Sequence, residues 1–142
     1  MWDLYARVVA CAEGAAKAAG AGLKVTQHSD TIYEPMKRNQ TLLDLFAANM
    51  AVVGLTEGEP IPDRLGSSDI GNVSQIIPAI QPMIGIAPTG TAIHTRDFAA
   101  AAVTPLARAG MLAAAKTMAM TTLDLLADPA RVQAAKEEFA RR

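Results

Sequence analysis

The sequence predicts an α/β chain rich in helix. Three observations carry this: residues with helical spacing in several long stretches, one short stretch that alternates between apolar and polar, and one continuous apolar run of strand length. At 142 residues and 51% hydrophobic composition the chain can bury a real core within one ordinary domain's length.

Residues 3–19 place Leu4, Val8, Val9, Ala12, Ala15 and Ala16 on one side and Arg7, Glu13 and Lys17 elsewhere, the spacing of an amphipathic helix that Gly20 and Gly22 stop. Residues 23–29 alternate, with Leu23, Val25 and Gln27 on one face and Lys24, Thr26 and His28 on the other, as in a half-buried strand. A single strand cannot satisfy its own backbone, so this helix and strand form an incomplete layer. Residues 30–38 carry Pro35 and no periodicity and read as a linker. Asn39 then caps a helix through Thr41, Leu42, Leu45, Phe46, Met50 and Val53, which ends at Gly54.

Gly58, Pro60, Pro62 and Gly66 make residues 56–68 an exposed connection, in which Glu57, Glu59 and Asp63 are solvated rather than metal-binding. Short apolar runs follow at 73–79 and 82–87, and Met83, Ile84, Gly85 and Ile86 have the length and continuity of a buried strand. From Asp97 or Phe98 a long helix is expected to run to Leu126, tolerating Pro105 only in a first turn. Asp128 caps a last helix over 130–141, with Val132, Ala135 and Phe139 inward and Lys136, Glu137 and Arg141 in solvent.

Thirteen basic against fourteen acidic residues leave a net charge of -1, so no basic field recruits nucleic acid or an anionic bilayer. Cys11 is the only cysteine, which excludes an internal disulfide and a cysteine-clustered zinc site and suits the cytoplasm. The first residues lack the pattern of a signal peptide, and Lys116, Thr117 and Asp124 interrupt the alanine-rich tract, so no membrane span is expected. Met111, Met118 and Met120 fall within that tract, where close helix packing accounts for them better than a cofactor box.

Two loops of small, hydrogen-bonding residues flank the apolar runs: 66–74 (Gly-Ser-Ser-Asp-Ile-Gly-Asn-Val-Ser) and 90–95 (Gly-Thr-Ala-Ile-His-Thr). Loops of this kind, held by rigid elements, are where sites sit. His94 follows the Gly-Thr turn and precedes a helix start, where an imidazole can project into a cleft; a capping role is the alternative. His28, on a strand face, reads as structural, and Asp69 as an N-cap or turn residue unless it serves a site. There is no HExxH, no paired histidine at ligand spacing, no nucleophile elbow and no phosphate-binding or dinucleotide-binding glycine motif.

Taken together, these stretches resemble the C-terminal third of the metal-dependent amidohydrolase and metallopeptidase family of aminoacylases and carboxypeptidases. The nearest branch looks like that of p-aminobenzoyl-glutamate hydrolase and β-alanyl-lysine dipeptidase. The resemblance rests on residues 11–16, 33–39, 67–74 (Ser-Ser-Asp-Ile-Gly-Asn-Val-Ser), Ile93-His94-Thr95, and 114–116 through 123–126. It implies that residues 1–32 are the last helix and strand of a ferredoxin-like lid and dimerisation domain, and residues 33–142 the C-terminal part of the catalytic domain. It further implies two metal ions, zinc or manganese, with His94 as a ligand and Asn39, Ser68 and Asp69 lining or supporting the substrate cleft. No catalytic residue is assigned, because the remaining ligands, the bridging aspartate and the water-activating glutamate of the family have no counterpart in this sequence.

The function expected on this basis is that of a C-terminal fragment of an enzyme cleaving N-acyl amino acids, aminobenzoyl-glutamate or dipeptides, inactive alone. It would be completed by an N-terminal companion chain and would assemble as a homo-oligomer. The alternative is a non-enzymatic interaction or oligomerisation module.

Overall fold

The computed structural model describes residues 1–27, 32–58 and 68–141. Among them are six helices: α1 (Trp2–Ala18), α2 (Gln40–Val52), α3 (Ile70–Ser74), α4 (Arg96–Ala101), α5 (Pro105–Ala127) and α6 (Pro129–Ala140). The helical spacing of α1, α2 and α6, the caps at Asn39 and Asp128 and the glycine stops at Gly20 and Gly54 find their counterparts. Gly20 at φ 64° and Gly54 at φ 80° stand just past α1 and α2 in the left-handed region that L side chains avoid. At each of these ends a further backbone bond tightens the turn, Ala21 N–H to the Ala16 carbonyl at 2.9 Å and Leu55 N–H to the Met50 carbonyl at 3.0 Å.

The long helix expected from residue 97 divides in two. Proline lacks the N–H an α-helical interior requires, and the chain accommodates Pro105 by starting a new helix with it at the first position. Thr104 caps that start, its hydroxyl accepting from Ala107 N–H at 3.3 Å and donating to the Ala101 carbonyl at 2.7 Å. Asp128 does the same for α6 through Ala130 N–H at 3.0 Å, with Pro129 first in the helix.

The packed centre is α2 against α5 and α6, with α5 also touching α6. Phe46 of α2, Ala107 of α5 and Ala135 of α6 are buried apolar residues of these helices, and Ala101 at the end of α4 is buried as well. A polar seam runs through the packed centre: Asn49 donates to Thr121 at 3.2 Å and to Asp124 at 2.8 Å, and Arg131 approaches Asp124 at 3.7 Å. Thr117 and Thr121 close their hydroxyls on the carbonyls of Ala113 and Thr117, four residues back. No buried side-chain polar atom among the described residues lacks a partner.

The helix-rich part of the α/β expectation is met, while the described residues contain no strand. Residues 21–27 and 78–86 have no regular structure. His28 and Ser29, the end of the first expected strand, lie outside the described residues, as do Glu59 and Asp63 of the expected connection. A ladder needs a neighbouring strand, and none is present among the described residues to pair with either segment.

Of the three methionines expected to pack between helices, Met111 and Met118 are instead 60% and 57% exposed, and Met120 is half-buried. The total exposed surface is 10754 Å², whereas a compact monomer of this length exposes about 7,000 Å². No described helix is long and apolar enough to cross a membrane.

Candidate functional site

The first of the two loops is built as a clasp. Ser68 Oγ accepts from Ile70 N–H at 3.2 Å and donates to Asp69 Oδ1 at 3.3 Å, which starts the one-turn helix α3. Asp69 stands at the N-cap position, as its sequence context suggests, but its carboxylate makes no capping bond and is exposed.

Gly71 is buried with its Cα directly against the Glu34 carbonyl, where any Cβ would overlap the oxygen. This close approach lets Asn72 act as a strand would. Its Oδ1 accepts from Glu34 N–H at 3.1 Å and its Nδ2 donates to the Ile32 carbonyl at 2.9 Å. Ser74, fully buried, accepts from Lys37 N–H at 2.9 Å and donates to the Gly71 carbonyl at 2.6 Å, and Gln75 donates to the Pro35 carbonyl at 2.6 Å. The segment expected to be a linker is therefore fixed over residues 32–37 by side chains.

That fixed segment delivers Asn39 to the start of α2. Asn39 is 2% exposed: its Oδ1 accepts from Leu42 N–H at 3.1 Å and its Nδ2 donates to the Ala135 carbonyl of α6 at 2.9 Å. Glu138 completes the same helix end, accepting from the N–H groups of Gln40 and Thr41, each at 2.8 Å, and from the Thr41 hydroxyl at 2.9 Å. A carboxylate there is favoured by the orphan N–H groups and the positive end of the helix dipole. Lys37 lies over the Phe139 ring at 5.4 Å and ties the same corner together.

The second loop presents His94. Gly90 takes φ 90°, with Thr91 N–H bonded to the Pro88 carbonyl at 3.1 Å. Thr95 then caps α4, accepting from Phe98 N–H at 3.2 Å and donating to the Ala92 carbonyl at 2.7 Å. Between these fixed points His94 adopts φ 64°, a left-handed conformation that costs a non-glycine residue about 1 kcal/mol or more. Its side chain is exposed and forms no hydrogen bond or ion pair with the described residues.

Ser68 and Asp69 are thus neighbours, and the clasp links their loop to the segment that ends in Asn39. His94 belongs to a separate loop and shares no hydrogen bond with the other three. Among the described residues no three His, Cys, Asp or Glu side chains come close enough to hold a metal ion. The donors present do not by themselves fit a two-ion centre, which takes several carboxylate and imidazole ligands.

The sequence pattern does not single out Asn72, Ser74 or Glu138 as positioning residues. Glu138 acts across 97 positions of sequence, beyond any local signal. Asn72 and Ser74, two residues apart in the Gly-Asn-Val-Ser run, could have been suspected from their types alone.

Comparison with known proteins supplies what the geometry leaves open. The homologues of this chain belong to a metal-dependent metallopeptidase family that contains dipeptidases and amidohydrolases. The particular relatives include the Xaa-Arg dipeptidase of Mus musculus, 31% identical over 132 residues that make up 91% of this chain and 30% of that protein. The Homo sapiens Xaa-Arg dipeptidase is 29% identical over the same shares. One of the subunits of the p-aminobenzoyl-glutamate hydrolase of Escherichia coli strain K12 is 39% identical over 72 residues, 51% of this chain and 15% of that protein. The chain therefore spans 30% of the length of the dipeptidases it matches. No family model matches the chain, and no solved structure is detectably similar to it.

Proposed function

We propose that these residues are the C-terminal portion of a metal-dependent amidohydrolase that cleaves an amide bond in an N-acyl amino acid, an aminobenzoyl-glutamate or a dipeptide. The observation that carries this reading is the similarity to the mouse dipeptidase, which extends over 91% of this chain but 30% of that protein. In it, residues 1–32 are the end of a lid and residues 33–142 the end of the catalytic domain.

His94 is the metal ligand of this portion, its strained, exposed loop holding the imidazole outward toward donors from the rest of the enzyme. Ser68 and Asp69 line the cleft, and Asn39, whose side chain is used up inside the fold, supports it from behind. Zinc or manganese is the cofactor, and bound metal would polarise the scissile carbonyl and acidify a water. The working protein lies in the cytoplasm as an oligomer.

Because the described residues offer a single imidazole at the loop, this chain alone does not hydrolyse amides. The large exposed surface supports a portion of a bigger fold over a self-contained interaction module. The test is hydrolysis of aminobenzoyl-glutamate and of dipeptides ending in arginine, with zinc or manganese added, by the chain alone and by the chain joined to the rest of a family catalytic domain. Activity is expected only in the joined form and is abolished there by His94→Ala. Turnover by the isolated chain, or an active joined His94→Ala form, refutes the assignment.

A further inference from the structure

The extended segment over residues 32–37 is held by side chains alone. Asn72 bonds to Glu34 N–H and to the Ile32 carbonyl, Ser74 to Lys37 N–H, and Gln75 to the Pro35 carbonyl. No backbone-to-backbone hydrogen bond joins residues 32–37 to any described residue. The register of the segment against α3 is therefore set by three side chains, and Asn72 is the one that reads it twice. Its amide meets an acceptor and a donor two residues apart on one edge, and a slide by one residue would turn that edge away.

Asn72 also faces the other way along the chain. Its backbone N–H donates to the Asp69 carbonyl at 3.0 Å, and Gly71 N–H donates to the Ser68 carbonyl at 3.1 Å. One residue thus holds Asp69 by its main chain and the segment leading into Asn39 by its side chain. The overlap that any Cβ on Gly71 would make with the Glu34 carbonyl means the two stretches of backbone touch directly. Neither can shift without displacing the other. The far end is anchored, because Asn39 donates to the Ala135 carbonyl of α6, so a displacement falls on the Ser68–Asp69 loop. That loop is the less tied of the two: Asp69 is exposed and its carboxylate makes no capping bond.

We infer that Asn72 is a positioning residue for the Ser68–Asp69 side of the cleft, fixing that loop on the segment that carries Asn39 and so governing substrate affinity. This rests on the proposed amidohydrolase reading and adds a residue that acts through Asp69 without touching substrate. His94 lies in a separate loop that shares no hydrogen bond with the clasp, so metal binding there is independent of Asn72.

The test has two arms. In the full chain alone, Asn72→Ala should speed amide exchange at Glu34 about tenfold or more and leave α5 as protected as before. In the chain joined to the rest of a family catalytic domain, with zinc or manganese added, kinetics are measured on aminobenzoyl-glutamate and on dipeptides ending in arginine. There Asn72→Ala should raise KM about tenfold with kcat changed less than about threefold, and zinc affinity should stay as in the native form. In an Asp69→Ala background the same substitution should raise KM less than about twofold, because the loop through which it acts has already lost its carboxylate. Asn72→Asp keeps the size of the side chain and its acceptor toward Glu34 but sets an oxygen against the Ile32 carbonyl. It should reproduce the KM shift with the helical circular dichroism intact.

An unchanged exchange rate at Glu34, a loss confined to kcat, weakened zinc binding, or an undiminished KM effect in the Asp69→Ala background overturns the positioning role and leaves the amidohydrolase reading standing. Loss of the helical signal in both Asn72 variants makes the residue one of folding only and overturns it as well. A native joined form that turns over neither substrate overturns both.

Discussion

Helices α1 and α2 present opposite relations between sequence pattern and burial. The α1 stretch has the clearer apolar stripe, yet none of its residues is buried: Trp2, Leu4 and Val8 are 48%, 53% and 60% exposed, and its first turn has no side-chain cap. Helix α2 is nearly apolar throughout, but it buries Phe46 and Asn49 against α5 and α6, and its first turn is held by Asn39 and Glu138 together. Amphipathic spacing therefore identifies a face that needs covering and says nothing of where the cover comes from. In α2 the cover is in this chain; for α1 it is not among the described residues.

The contrast is most exposed to attack at Phe46. This ring is 4% exposed and is the sole large apolar side chain among the buried core residues described, the others being alanines. Phe46→Ala should cost about 3–5 kcal/mol, enough to unfold a core this small, as measured by urea titration of the helical signal. A loss under about 1 kcal/mol would mean that α2 is held no better than α1, and the distinction would collapse.

A smaller effect sharpens the comparison by separating polar from apolar contributions. Asn39→Ala removes a cap and leaves the Ala135 carbonyl without its donor, two losses that together should cost about 2 kcal/mol. The same substitution at the exposed cap Asp128 should cost about 1 kcal/mol, since there water replaces the lost bond. Equal costs at the two positions would show that the link from α2 to α6 through Asn39 contributes nothing beyond capping.

Helices, caps and stops could be read from the sequence because each depends on residues three or four positions apart. Asn39, Asp128, Pro105, Gly20 and Gly54 are local signals of this kind, and the structure uses all five. Residues 23–29 and 83–86 were legible as strand-like in pattern, but pairing depends on partners that no local pattern contains. The same limit hid the clasp: nothing near Asn72 announces that its amide will bond to Ile32 and Glu34, 40 and 38 positions away. At the candidate site, the location of His94 in a loop before a helix was legible, whereas its left-handed backbone was not, because histidine adopts that conformation too rarely for its presence to announce it.

The smallest expected effect concerns α1 and tests the other half of the comparison. Val8 lies on the apolar stripe but is 60% exposed, so Val8→Ala deletes little buried area and replaces a β-branched residue with the best helix former. In the isolated chain the two small terms oppose each other, and the change in unfolding free energy should stay within about 0.5 kcal/mol. Once the stripe is covered in an assembled protein, the same truncation removes buried methyl groups and should cost about 1 kcal/mol or more. Equal responses in the two states would mean that the stripe of α1 stays in water throughout, and that its spacing reflects helix formation alone.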